Sequence, residues 1–183
     1  CRRRAWVSSS FRHGIIPSGM LKASAMLTIA YLADHPEHIP ELAARHHGQW
    51  SHLYPGETLA DFENHLRSSA QRGALPLTVV ALEDGGPAGS ASLIAHDLDS
   101  HPELSPWLAN VHVAPPYRSR GIATALVKRI IDEAFILGVP TISLFTTGAP
   151  DFYRRLGWRS ILHETCQGVP ITIMSRPMNQ GLD

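Results

Sequence analysis

The apolar run Leu108 to Val113, stopped by Pro115-Pro116 and followed by Arg118-Ser119-Arg120-Gly121-Ile122-Ala123-Thr124, constrains the fold of this chain more than any other segment. It reads as a strand, a glycine turn and the first residues of a long amphipathic helix. That arrangement aims unpaired backbone N–H groups and the positive end of a helix at one point. An anion is expected there, held by the amides of Arg118 to Ala123, the guanidinium groups of Arg118 and Arg120, and the hydroxyl of Thr124. A nucleoside-triphosphate loop is excluded because Gly121 is followed by Ile122-Ala123 rather than Lys and Ser or Thr. A dinucleotide fingerprint is excluded because the loop has one glycine where three are needed, with no acid at the end of the next strand. On the loop alone, an ordinary strand-to-helix turn with an exposed basic pair stays open.

The rest of the chain fits one compact α/β domain. Its 183 residues are 44% hydrophobic, show no internal repeat and need no second core. Net charge is zero with the eleven histidines neutral, so no global field draws nucleic acid and none is expected as a partner. Cys1 and Cys166 are the two cysteines, which fits a reducing cytoplasm better than a disulfide framework. Residues 1–25 mix Arg2-Arg3-Arg4, the run Ser8-Ser9-Ser10 and Pro17 without periodicity, and lack the apolar core of a signal peptide. They are expected to be a leader unrelated to the domain, with natural translation starting at Met20 or Met26. The domain is expected over 26–178, with a tail at 179–183.

Along that domain, Leu27 to Leu32 reads as a strand, and Asp34 as the N-cap of a helix carrying Pro36 in its first turn and running to His47. Thr58 and Asp61 suggest a capping box opening a second helix to Gln71. Leu77 to Glu83 and Ala88 to Ala95 flank Asp84-Gly85-Gly86-Pro87 as a hairpin. A third helix buries Ile122, Leu126, Ile130, Ala134 and Leu137, keeps Lys128, Arg129, Asp132 and Glu133 off that stripe, and ends at Gly138. Ile142 to Phe145 is a short strand and Pro150 to Leu156 a short helix. Trp158 to His163 and Val169 to Ser175 form a last hairpin around Gln167-Gly168.

Arg118, Gly121 and Ala123 match the coenzyme A loop of the GCN5-related N-acetyltransferase superfamily: Arg or Gln, two residues, Gly, one residue, Gly or Ala. Phe152-Tyr153-Arg154-Arg155-Leu156-Gly157-Trp158 is similar to that family's Phe-Tyr, three residues, Gly, aromatic signature. The chain therefore resembles this family over residues 26 to 178. The resemblance implies an α/β fold with a mixed, mostly antiparallel sheet of about seven strands, splayed between the fourth and fifth, and helices on both faces. It also implies acetyl-CoA as co-substrate, with pantetheine in the opening and transfer to an amine by direct attack. The cofactor set implied is Val111, His112, Val113, Arg118, Ser119, Arg120, Gly121, Ile122, Ala123, Thr124 and Tyr153. Backbone N–H groups near Val111 and Val113 are expected to polarise the acetyl carbonyl.

Tyr153 is the expected general acid, since a phenol stays protonated at neutral pH and can donate to a departing thiolate. For the base, His112, Asp97, Asp99 and Glu103 are candidates, His112 and Glu103 foremost. Many relatives carry an Asn after the fifth strand; here Thr146-Thr147-Gly148-Ala149-Pro150-Asp151 stands there, and Thr147 or Asp151 is the expected substitute. Histidines 35, 38, 46, 47 and 52 lack metal-motif spacing, so no metal is expected. Asp97, Asp99 and Glu103, with Glu57 and Asp61 near the other rim, suggest a cationic small-molecule amine as acceptor, and the resemblance implies that the aromatic segment Trp50 to Tyr54, between the first two helices, shapes its pocket. An aminoglycoside antibiotic leads. A peptide or protein N-terminus is the enzymatic alternative, and a coenzyme-A-binding sensor without turnover the other. No membrane partner is expected, and a homodimer is left open.

Overall fold

The computed structural model describes residues 26–178; the expected leader and tail lie outside the described residues. A single seven-stranded sheet runs in the order β1-β2-β3-β4-β5-β7-β6. The strands are β1 (Thr28–Tyr31), β2 (Leu77–Glu83), β3 (Gly86–Ile94), β4 (Trp107–Val113), β5 (Thr141–Thr146), β6 (Arg159–Cys166) and β7 (Val169–Pro177). Every neighbouring pair is antiparallel except β4 and β5. No helix among the described residues is long and apolar enough to cross a membrane.

Both faces of the sheet are covered, which explains why β2 is buried at every position. Val79 and Ala81 face the layer built on helix α3 (Ile122–Ile136), with Leu126, Ile130 and Ala134. Val80 and Leu82, one residue out of phase, meet α1 (Ile39–Trp50) and α2 (Leu59–Ser68) through Leu42, Phe62 and Leu66. The β2–β3 turn is made by Asp84 and Gly85 at φ 52 and 79, two residues rather than the expected four, because β3 already starts at Gly86. Thr58 and Asp61 form the expected capping box at α2.

The differences from the sequence reading have local causes. Asp34 is no N-cap: two 3-10 turns, Leu32–Asp34 and Pro36–His38, precede α1, and the Asp34 carboxylate pairs with Arg72 instead. α2 ends at Ser68, not Gln71. Trp158 precedes β6 and is a core residue, as its size favours. Glu133, expected among the polar residues of α3, is 2% exposed. It accepts hydrogen bonds from Tyr31 Oη at 2.8 Å and Arg129 Nε at 2.7 Å, so its burial is compensated.

Two irregularities shape the centre of the sheet. β4 carries a bulge: Ser90 pairs with His112 but Ser92 pairs with Ala109, leaving Asn110 and Val111 opposite Ala91. Asn110 takes the left-handed conformation, φ 55. β4 and β5 share one register pair, Trp107 with Ser143, and the Ser143 N–H donates to the Pro106 carbonyl at 2.9 Å. Beyond it they part, so the β5-facing edge of β4 is open from Leu108 onward.

Candidate functional site

The open edge becomes a cavity of about 380 Å³, lined by Asn110, Val111, His112 and Val113 of β4, Phe145 and Thr146 of β5, Arg118, Ala123 and Tyr153 among others. Its floor is the parted β4 and β5. At its end the chain turns through Pro115–Tyr117 and the left-handed Ser119 and Gly121, φ 60 and 80, into α3. The first α3 bond runs from the Ala125 N–H to the Gly121 carbonyl at 3.0 Å, leaving the N–H groups of Ile122, Ala123 and Thr124 without helical acceptors. A Cβ on Gly121 would meet no atom within 4 Å, so the glycine serves the backbone angle and keeps the approach to these donors clear. This donor set fits an anion of the pyrophosphate kind. The Arg118 N–H is already committed, to the Pro115 carbonyl at 3.3 Å.

The two loop arginines separate. Arg118 lines the cavity and is braced by an Nε hydrogen bond to the Val113 carbonyl at 3.0 Å. Arg120 instead turns to Glu83, 6% exposed, with Nη2 at 2.6 Å from its carboxylate, and lies 5.9 Å from the Tyr117 ring. A buried carboxylate holds the Arg120 guanidinium, which singles out Arg118 as the expected phosphate anchor. Arg118→Ala is expected to raise the acetyl-CoA KM about tenfold, as loss of a charge-assisted contact does. Arg120→Ala should leave KM unchanged and lower stability by about 1–3 kcal/mol, because Glu83 loses its partner. Steady-state kinetics and thermal melts on both variants check this.

Tyr153 stands on the short helix α4 (Pro150–Arg154), packed edge-on against Phe152 and Trp158 with ring centroids 4.9 and 6.2 Å away. It is 9% exposed, and burial pushes its phenol up to about 12. The turn before α4 is held by Thr146, whose Oγ1 accepts from the Ala149 N–H at 3.1 Å. Of the expected substitutes, Thr147 lines the cavity and Asp151 pairs with Arg154, so the side-chain hydrogen bond to this turn comes from Thr146.

His112 is 7% exposed and its Nδ1 has no hydrogen-bond partner. Burial lowers it to about 4, aided by Arg45 and Arg118, so the ring is neutral at neutral pH. Behind it, His46 Nε2 lies 2.8 Å from Ser90 Oγ and is lowered to about 3 by burial and by His112. Trp50 packs edge-on to both rings, at 5.0 Å from His46 and 6.1 Å from His112.

A second cavity of about 870 Å³ adjoins the first; Leu53, Tyr54, Asp97 and Asn110 line both and form the throat between them. Asp97 is the acid at the throat. Burial raises it to about 6, against a hydrogen bond from the Tyr54 hydroxyl at 3.1 Å. Glu57, Asp99 and Glu164 line the outer cavity. Glu103 lies in neither. Its carboxylate faces His101 at 3.1 Å, and the same ring reaches Glu164 at 2.9 Å; Glu164 and then Glu103 raise the His101 pKa, while a backbone hydrogen bond, and after it His101, lowers that of Glu103. The structure thus does not bring Glu103 to the reacting centre. Asp61 is likewise spent on the Thr58 cap. Among the described residues, His35, Glu37 and His38 place ligand atoms within 4.8 Å of one another, but none of the three lines either cavity.

Sequence reasoning missed Asn110 and Thr146, and included Tyr54 only as the end of the aromatic segment that starts at Trp50. Asn110 carried a signal: it is the one amide in an apolar strand and tolerates positive φ.

Residues 39–158 match the Acetyltransferase (GNAT) family. None of the curated proteins matches the sequence. Among solved structures, the ribosomal-protein-S18-alanine N-acetyltransferase from Escherichia coli is 26% identical, with TM-score 0.59, over 86% of this chain and 97% of that one. An aminoglycoside 6'-N-acetyltransferase complexed with coenzyme A is 16% identical, with TM-score 0.65, over 85% and 99%. A type Ii aminoglycoside 6'-acetyltransferase is 17% identical, with TM-score 0.64, over 85% and 99%. The last two likenesses bear on the fold.

Proposed function

The chain belongs to the GNAT acetyltransferase family, and from that premise we propose that it transfers the acetyl group of acetyl-CoA to a primary amine of a cationic acceptor, an aminoglycoside being the leading candidate. One observation carries the reading: the opening between β4 and β5, with the Gly121 donors at its end, meets an acid-lined cavity through a throat that holds Asp97.

The division of labour follows from the geometry. Arg118 and the N–H groups of Ile122, Ala123 and Thr124 bind pyrophosphate. The open edge of β4 about Val111 and Val113 receives the thioester and polarises its carbonyl. The acceptor enters through the cavity of Glu57, Asp99 and Glu164, whose charge concentrates cations and speeds their arrival. At the throat the amine must lose a proton before it attacks. The Asp97 carboxylate takes or orders that proton, since its position and its pKa of about 6 leave it ionised yet basic at neutral pH. The C–N bond forms, the C–S bond breaks and the leaving sulfur takes the Tyr153 proton, while the attacking nitrogen sheds its second proton to solvent as the amide forms and solvent returns one to Tyr153.

Asp97 supplies a pH test. Its folded pKa is raised, so it carries charge only above about pH 6. Turnover should therefore rise as pH increases through about 6 and then level off. In Asp97→Asn the remaining activity should be at least about tenfold lower, with that acidic limb gone. Thiol release from acetyl-CoA is the assay, run against aminoglycosides, polyamines and peptides. An unchanged limb in the variant would remove Asp97 from the proton path.

A second reading, acetylation of a peptide or protein N-terminus, is favoured by the likeness to the ribosomal-protein acetyltransferase. Turnover on peptides and none on polycations would select it.

A further inference from the structure

Asn110 sits at the throat, on the bulge of β4, and lines both cavities. Behind it runs a line of buried hydroxyls: Ser92, Thr78 and Ser69 are 2%, 0% and 4% exposed. Asn110 Nδ2 lies 3.4 Å from Ser92 Oγ, Ser92 Oγ 2.8 Å from Thr78 Oγ1, and Thr78 Oγ1 2.7 Å from Ser69 Oγ. Ser69 Oγ lies 3.1 Å from the Leu66 carbonyl oxygen.

The line has one polarity that satisfies every member. A carbonyl only accepts, so Ser69 donates to Leu66. Each hydroxyl has a single proton, so Ser69 accepts from Thr78 and Thr78 from Ser92. Ser92 is left as an acceptor, and the group it accepts from is an N–H of Asn110. The Leu66 carbonyl in α2 thereby fixes which way the amide of Asn110 faces. Its nitrogen is held inward, and among the described residues Oδ1 has no hydrogen-bond partner, on a residue that lines both cavities together with Asp97.

Resting on the acetyl-transfer reading above, we propose that Asn110 docks the acceptor: Oδ1 and the Asp97 carboxylate receive N–H groups of the incoming amine, and the Ser92–Thr78–Ser69 line holds Oδ1 in place. Two acceptors at one point select a primary amine, which offers three N–H donors when protonated. A tertiary amine of equal charge offers one. Asn110 is then a substrate-contacting residue that sets specificity, and Ser92, Thr78 and Ser69 are positioning residues.

Calorimetric titrations with 1,4-diaminobutane and tobramycin, with and without coenzyme A, test the docking; the tetramethylated diamine is the control. Asn110→Gly suits the left-handed backbone and removes the amide. It should weaken primary-amine binding about tenfold, the worth of a hydrogen bond to a charged donor, and leave the control unchanged. Thr78→Val breaks the line at a site that lines neither cavity, and should reproduce most of that loss. Thr78→Ser keeps the hydroxyl and should restore wild-type affinity, an outcome packing alone would not give. The proposal is overturned if neither primary amine binds the wild-type protein, if Asn110→Gly binds them as tightly, or if Thr78→Val and Thr78→Ser behave alike. Failure of coenzyme A to bind would sink the transfer reading instead, while the titrations without it still decide the docking.

Discussion

Tyr153→Phe is expected to lower kcat about 100-fold while the acetyl-CoA KM changes by less than about threefold, the lower end of what loss of a general acid costs. The ring's packing against Phe152 and Trp158 survives the change, and so do the hydrogen bonds from the Leu156 and Trp158 N–H groups to the Tyr153 carbonyl. Only the hydroxyl is lost. Burial holds that hydroxyl protonated to about pH 12, so it is available as a donor throughout the assay range. A thiolate leaving in a partly dry cleft gains most from a proton delivered as charge develops. Circular dichroism should show the variant folded as wild type, and stopped-time thiol release should show the fall in kcat. Equal kcat in the two proteins would exclude Tyr153 as the acid.

The parts of this machinery that were legible beforehand are those specified by neighbours in sequence. β2 spans Leu77–Glu83 as its sequence predicts, because turn chemistry bounds an apolar run on its C-terminal side. The capping box of Thr58 and Asp61 and the glycine turn at Gly121 are each contained in three or four residues, and the structure has both where the sequence predicts them. What escaped was decided by distant partners. Glu133 reads as a solvent-facing helix residue until Tyr31, 102 residues earlier in the chain, is placed against it. Arg120 and Glu83 are 37 residues apart and meet only when β2 runs beside the start of α3. Glu103 and Asp97 look equivalent in an acidic loop. The structure separates them because Tyr54 reaches Asp97 while His101 draws Glu103 away. The bulge at Asn110 is a property of the β3–β4 register, which no single strand encodes.

That register also predicts the largest loss of stability from a single methyl group. Gly89 of β3 pairs with Val113, and a Cβ there would lie 2.4 Å from the His112 carbonyl oxygen and 3.3 Å from Val113 Cα. Both neighbours are backbone, so no rotamer change relieves the clash. Gly89→Ala must push β4 away from β3 at the residues that form the cleft edge. A cost of more than about 3 kcal/mol is expected, as for other overpacked interiors, or a fall in Tm of about 10 °C for a domain of this size. Coenzyme A affinity should fall with it, since Val111 to Val113 move. Gly48 gives the opposite sign. It is exposed within α1, and an added Cβ would meet nothing within 4 Å, so Gly48→Ala should stabilise by about 0.5–1 kcal/mol through helix propensity alone. Thermal melts of the two variants compare one methyl group in two backbones. Similar Tm values for both would mean that β3 and β4 are not in the close contact on which the cleft geometry depends.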